Sequence, residues 1–228
     1  MTFQDEPDFR KVLSREVSFD GRIWDVLTET FELNDGGEQL TREYIDHPGA
    51  VAVVVLDEAE QVLLLKQYRH PVRASLWEIP AGLLDIEGED FQLAAARELA
   101  EEADLLASDW RVLLDVNNSA GSSSEAVRIY LARGISEVPE AERHVRTAEE
   151  SEIQLRWVPL DEAVTAALTG RMHSFSAISG LLAAAAARST GFEQLRPADS
   201  AWPEHPSQWP TEAQPAQPPF GQGATANP

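Results

Sequence analysis

Residues 50–56, AVAVVVL, are apolar throughout, and after the short polar stretch Asp57–Glu60 a second aliphatic run follows at Gln61–Gln67, QVLLLKQ. A strand that shows one face to water alternates apolar and polar side chains, so runs without alternation read as strands buried on both faces. The pair predicts a hairpin feeding a central sheet. Such a sheet needs cover above and below, and Asp90–Leu105, rich in Ala, Leu and Glu with no Gly or Pro, is the best helix candidate to supply it. Further strands are predicted at Arg111–Val116, Ala126–Ala132 and Ile153–Val158. Asp161 is expected to cap a helix ending near Gly170, and Ser174 or Ser176 to cap another that runs through the alanines to Gly191. Strands and helices intermix instead of alternating strictly, which predicts an α+β chain built as an α/β/α sandwich around a mixed sheet.

Two flanking regions differ from this body. Residues 1–48 hold strand-like stretches at Glu16–Phe19, Ile23–Leu33 and Gln39–Ile45, separated by the turn signals Asp20-Gly21 and Asn34-Asp35-Gly36-Gly37, and read as a small antiparallel β meander. The main domain is placed at 49–195. From Pro197 onward 8 of the 14 prolines accumulate among Gln, Ala and Gly, so 196–228 is expected to be a mostly disordered tail. Trp202, Trp209 and Phe220 are the residues of that tail able to dock on a folded body.

Composition narrows the partners. With 18 basic and 39 acidic residues the net charge is −21, against nucleic-acid binding through clustered Lys and Arg. No cysteine is present, which excludes disulfides and thiolate chemistry, so a metal here would be held by oxygen. The N-terminal stretch MTFQDEPDFRKVL is acidic and polar, no apolar run approaches the ~18 residues of a membrane span, and the chain is read as cytoplasmic with no membrane partner.

The stretch Trp77–Leu105 carries the chemistry. Glu98, Glu101 and Glu102 stand at i, i+3 and i+4, so on a helix three carboxylates project from one side within about a turn. Ala95, Leu99 and Ala103 form an adjoining apolar stripe that would press the helix onto the sheet. Like charges this close repel, and a hard divalent cation reverses the sign of the interaction. Taken alone, the cluster also reads as a solvated acidic face.

The wider pattern is Gly82, Glu89, then Arg97-Glu98-Leu99-Ala100-Glu101-Glu102. It resembles the Nudix hydrolase box, a loop-helix-loop that binds metal. Two departures stand out: six residues rather than five separate Gly82 from Glu89, and Asp104 occupies the place of the usual glycine near the helix end. The resemblance implies that Glu89 folds back to pair with Arg97 and brace the loop. It also implies that Glu98, Glu101 and Glu102 hold Mg²⁺ or Mn²⁺, with the Ala81 carbonyl as a further ligand. Together with Gln67-Tyr68-Arg69, Trp77–Gly82 and Ala94–Glu98, the chain from about Val17 to Gly191 is similar to the ADP-ribose pyrophosphatase group within that family. A Nudix-like fold, a homodimer that exchanges the N-terminal meander, and a small nucleotide substrate are what this likeness implies.

On the same likeness Arg69 and Arg42 contact phosphates or the terminal sugar, Glu78 hydrogen-bonds the nucleotide, and Trp24 stacks on the base. Each has a plainer reading: surface charge for the arginines, strand cap for Glu78, core for Trp24. A glutamate of the acidic loop His144–Glu152 is implied as base; Glu150 matches best, with Glu149 and Glu152 as alternatives. The implied reaction is hydrolysis of a nucleoside diphosphate-linked compound, ADP-ribose to AMP and ribose 5-phosphate being first choice. Ala120 stands where ADP-ribose-specific members carry a proline, which bears on substrate and keeps other nucleotide sugars and dinucleotides open. A separate alternative is a non-catalytic ligand-binding domain that keeps the fold.

Overall fold

The structure is a computed structural model that describes residues 3–147 and 151–210. Its residues fall into two compact units.

The first unit contains residues up to Gly49, 117–126, and 202 onward. Strands β1 (Val12–Phe19), β2 (Asp25–Glu32) and β3 (Gln39–Asp46) form an antiparallel meander in sequence order. The Asn34–Gly37 turn closes β2 onto β3, with Gly37 N–H donating to the Asn34 carbonyl at 2.8 Å and Leu33 N–H to the Glu38 carbonyl at 2.8 Å. At the end of β3, Ile45 exchanges backbone hydrogen bonds with Ser122 and Ser124. His47 stacks on Trp24 at 5.4 Å; its Nδ1 accepts from Gly49 N–H at 3.1 Å, which places the ring proton on Nε2. His205 Nε2 donates to the Pro48 carbonyl at 3.0 Å, and Trp202 is buried.

Asp46 is buried in this unit, and burial pushes its carboxyl up to about 6 against the opposing pull of the Ser124 hydroxyl. Between the ordinary value of 3.8 and about 6 the folded state keeps a proton that the unfolded chain has lost. Asp46 therefore contributes stability that is full below pH 4 and is lost as pH rises past 6. Asp46→Asn is expected to gain about 2 kcal/mol on the parent protein between pH 4 and pH 7, then hold constant. Thermal melts of both proteins across that range measure the gap; a gap independent of pH contradicts the assignment.

Among its described residues the second unit, 50–116 with 127–201, holds two sheets and three α-helices. Strands β4 (Ala50–Val55), β7 (Ala81–Leu83), β8 (Leu105–Asn117), β9 (Ala126–Glu137) and β11 (Arg196–Pro197) make a mixed sheet in the order β11-β8-β9-β4-β7. In it β4 runs parallel to β9 and antiparallel to β7. A second, antiparallel sheet has the order β10-β5-β6, from Gln154–Pro159, Gln61–Arg69 and Ala74–Glu78.

The alternation of β4 explains the sandwich. Val51, Val53 and Val55 pack with Ala94, Ala95, Leu99 and Ala103 of helix α1 (Phe91–Ala103). Ala52 and Val54 point the other way, into a cluster with Ala163 of α2 (Leu160–Leu168) and Ala177, Leu181 and Ala184 of α3 (Phe175–Arg188). Each fully buried Leu or Val contributes about 1.5–3 kcal/mol to holding these layers together. Gly180 lets α3 approach closely, since a Cβ there would lie 2.7 Å from Val54 Cγ2.

Three expectations need correcting. The runs at 50–56 and 61–67 are not paired as a hairpin: β4 has β7 and β9 as neighbours, β5 has β10 and β6, and one isolated bridge, Leu56 to Val62, links them. Both strands are apolar on two faces, so each takes an interior place with two partners. Asp161 does not cap α2; Pro159, the last residue of β10, is the N-cap, and Asp161 in the first turn pairs with Arg188. The segment expected to open a disordered tail at Arg196 is placed as far as Pro210. There Arg196–Pro197 pairs with β8, and the buried guanidinium of Arg128, bidentate to Asp115 at 2.7 and 2.9 Å, also donates to the carbonyls of Ser200 and Ala201. A buried guanidinium needs all its donors met, and chain 200–201 supplies carbonyls for it. Residues 211–228 lie outside the described residues. Among the described residues, no helix is long and apolar enough to cross a membrane.

Candidate active site

Helix α1 starts where its sequence says it should. Asp90 is the N-cap, extended at φ −66°, ψ 138°, and its Oδ1 accepts from Gln92 N–H at 2.9 Å and Leu93 N–H at 3.2 Å. Ala95, Leu99 and Ala103 are buried against the sheet, which fixes the rotation of the helix and leaves the glutamates on its flank.

On that flank the box residues converge. Arg97 grips Glu89 with two parallel hydrogen bonds, Nε to Oε1 at 3.0 Å and Nη2 to Oε2 at 2.9 Å, so the loop between β7 and α1 folds back across the helix. Arg97 Nη1 also donates to Glu98 Oε1 at 2.6 Å and reaches Glu101 Oε2 at 3.5 Å. Glu102 is buried, and its Oε2 accepts from Ala81 N–H at 2.9 Å. Glu98 lies one turn earlier, over Gly82: a Cβ on Gly82 would stand 2.0 Å from the Glu98 carboxyl carbon and 2.2 and 2.4 Å from its oxygens. Glu98 and Glu102 thus both rest on the Ala81–Gly82 backbone of β7.

Burial pushes the Glu98 carboxyl up; Arg97 opposes this, while Glu101 and Asp85 add to it. Hydrogen bonding to Glu89 holds Arg97 still more firmly protonated. Among the described residues no three acidic or histidine side chains are close enough together to form a metal cage. Glu98 and Glu101 turn toward Arg97, and Glu102 toward the Ala81 amide. The donor set is nonetheless carboxylate oxygen, the chemistry that suits a hard divalent ion. The Gly82 cradle supports the same fit, because it seats a carboxylate where any side chain would exclude it.

The other sequence-derived residues are placed as follows. Arg69 and Glu78 are joined, Nη2 to Oε2 at 2.7 Å and Nε to both carboxylate oxygens at 3.1 and 3.2 Å. Trp24 and Arg42 belong to the first unit, Trp24 with one face on His47 and Arg42 exposed on β3. Glu150 and its alternative Glu149 lie outside the described residues, and Glu152 is exposed. Arg146 was not singled out from the sequence: its Nε donates to the Glu101 carbonyl at 3.0 Å, and its Nη2 pairs with Asp104. The available signal was isolation, as the single Lys or Arg between His144 and Leu155.

The NUDIX domain matches residues 46–178. An ADP-ribose pyrophosphatase of Mycobacterium tuberculosis is 42% identical over 202 residues, 89% of this chain and 95% of that protein. A CMP-5'-(N-acetyl-N-hydroxy-3-aminopropyl)phosphonate hydrolase of Streptomyces rubellomurinus is 36% identical over 169 residues, 73% and 78% of the two chains. The crystal structure of an ADP compounds hydrolase superposes with a TM-score of 0.67 at 19% identity, over 82% of this chain and 99% of that one, and shares the fold. With the family domain across more than half its length and a near full-length relative, this chain belongs to the Nudix hydrolase family.

Proposed function

We propose that this Nudix hydrolase cleaves ADP-ribose to AMP and ribose 5-phosphate with Mg²⁺ as its working cation, Mn²⁺ substituting. The observation that carries the reading is the seating of Glu98 and Glu102 on the Ala81–Gly82 backbone, with Arg97 locked to Glu89 beside them. The 42% identical ADP-ribose pyrophosphatase supports the choice of substrate. Nudix hydrolases act with a divalent cation, and Glu98, Glu101, Glu102 and the Ala81 carbonyl would hold it here. When bound, the cation neutralises diphosphate charge and makes water a better nucleophile.

The chain's own residues supply the rest. Arg97 and Glu89 keep the loop from drifting, so the glutamates meet substrate at a fixed height. Arg69, oriented by Glu78, binds a phosphate or the terminal sugar, and Arg42 adds a second cation where net charge otherwise opposes an anionic ligand. Trp24, backed by His47 on one face, stacks on adenine with the other. Glu150 takes the proton of the attacking water as the new oxygen–phosphorus bond forms and the anhydride bond to the leaving phosphate breaks. The setting proposed is the cytoplasm, where such nucleotides are metabolised. The proposed assembly is a homodimer exchanging residues 1–48, and the exposed Leu13, Val17, Phe19 and Ile23 give the meander an apolar surface for a second copy to cover.

A second reading has one observation in its favour: the relative at 36% identity is a hydrolase of a CMP-linked phosphonate, so another nucleotide-linked substrate fits the same site. One assay separates them. Purified protein is expected to release AMP from ADP-ribose with Mg²⁺ and not with EDTA, faster than it releases CMP from CMP-linked compounds, and to weigh about twice 25.1 kDa by light scattering. Preferred turnover of a cytidine compound, or no Mg²⁺-dependent cleavage of any, overturns the substrate assignment; a single-chain mass overturns the dimer.

A further inference from the structure

Helix α1 ends in an unusual way. Asp104, its C-cap, sits in the left-handed region at φ 57°, ψ 34°, where helices more often place glycine because every L side chain pays a steric penalty there. Its N–H closes the helix on the Ala100 carbonyl at 3.1 Å, and its carbonyl accepts from Val138 N–H at 2.9 Å, so the backbone on both sides is fixed. Among the described residues the side chain pairs through Oδ2 with the guanidinium of Arg146, while Oδ1 is buried without a hydrogen bond. Arg146 in turn donates through Nε to the carbonyl of Glu101 at 3.0 Å. It is half-buried while His144, Val145 and Thr147 around it are exposed.

We propose that Asp104 and Arg146 are a positioning pair that locks the last turn of α1, and with it Glu101 and Glu102, to the chain arriving at Arg146. The proposal rests on the reading that these glutamates hold a divalent cation. Arg146 answers a free carbonyl at the helix C-terminus, where a cation is favoured, and its second arm offsets the charge of a carboxylate held in a strained conformation. Without Arg146, Asp104 keeps its strain and its half-buried charge loses its partner, so the last turn unwinds most easily where Glu101 and Glu102 sit. With glycine at 104 both burdens vanish, because glycine adopts the left-handed region freely. The two positions are therefore coupled in a defined direction: Asp104→Gly rescues Arg146→Ala.

Four proteins test this: the parent, Arg146→Ala, Asp104→Gly and the double variant, each melted in EDTA and across a titration of Mg²⁺ or Mn²⁺ without substrate. Arg146→Ala is expected to lower the midpoint in EDTA by ~3 °C. It is also expected to raise the cation concentration giving half the maximal thermal shift about tenfold, the usual effect of removing a residue that orients metal ligands from behind. In the Asp104→Gly background the same change is expected to move both quantities less than half as far. Equal effects of Arg146→Ala in both backgrounds overturn the pair. A cation requirement unchanged by Arg146→Ala, with the midpoint alone lowered, reduces it to a structural tie and overturns the positioning role. A parent protein whose midpoint ignores both cations overturns the metal reading of the site itself, a failure the parent's titration reveals apart from the variants.

Discussion

Glu102→Gln is expected to cut turnover of ADP-ribose by roughly a thousandfold, about 4 kcal/mol of transition-state stabilisation, at saturating Mg²⁺. The substitution is nearly isosteric, and the carboxamide oxygen can still accept the Ala81 N–H bond that Glu102 Oε2 makes at 2.9 Å. Glu102 is buried, so what changes is charge, not packing. Folding should therefore survive. Glu98 lies one turn away on the same helix flank, so removing one of two neighbouring negative charges is expected to leave thermal stability in EDTA unchanged or slightly higher. Turnover falls while stability does not, a combination that a general packing defect cannot produce. Steady-state kinetics and a melt on one preparation measure both. Turnover within threefold of the parent would remove Glu102 from the site, and with it the arrangement proposed for Glu98 and Glu101.

How much of this was legible in the chain depends on how local each cause is. Helix α1 is written in the Gly- and Pro-free run from Asp90 and in the apolar stripe at Ala95, Leu99 and Ala103, because propensity and helical period act within a few residues. The Glu89–Arg97 pair is what the resemblance to the box implies, and the two side chains meet at 2.9 Å. The partition of β4 and β5 into different sheets was not legible: burial on both faces says that a strand is interior, not which strands flank it. Arg128 is similar. In AVRIYLA it looks like an interruption of β9, and its acceptors, Asp115 and the carbonyls at 200–201, are chosen by tertiary packing alone. Asp104 could be seen as a departure from the box, but its compensation by Arg146 joins residues 42 positions apart, beyond any local rule.

Gly82→Ala is expected to separate activity from stability in the same site by a different route. Gly82 has an ordinary backbone conformation, so alanine fits its φ and ψ, and strand pairing with Val51 need not change. The conflict lies in the side chain. An added Cβ would fall 2.0 Å from the carboxyl carbon of Glu98, and of the two only the end of the flexible Glu98 side chain can yield. It is already held on one side by Arg97 Nη1 at 2.6 Å, so it must swing away from β7 and from Glu102. A rotamer change at a partly buried side chain costs about 1 kcal/mol, and the melting point should move little. A displacement of about 1 Å in a positioned group is worth roughly a hundredfold in rate, so kcat should fall by that factor while the cation concentration for half-maximal rate rises. Gly82→Ala with full activity would mean that Glu98 does its work from elsewhere. If the variant instead unfolds, the constraint on Gly82 belongs to the sheet and not to the carboxylate, and the cradle loses its functional meaning.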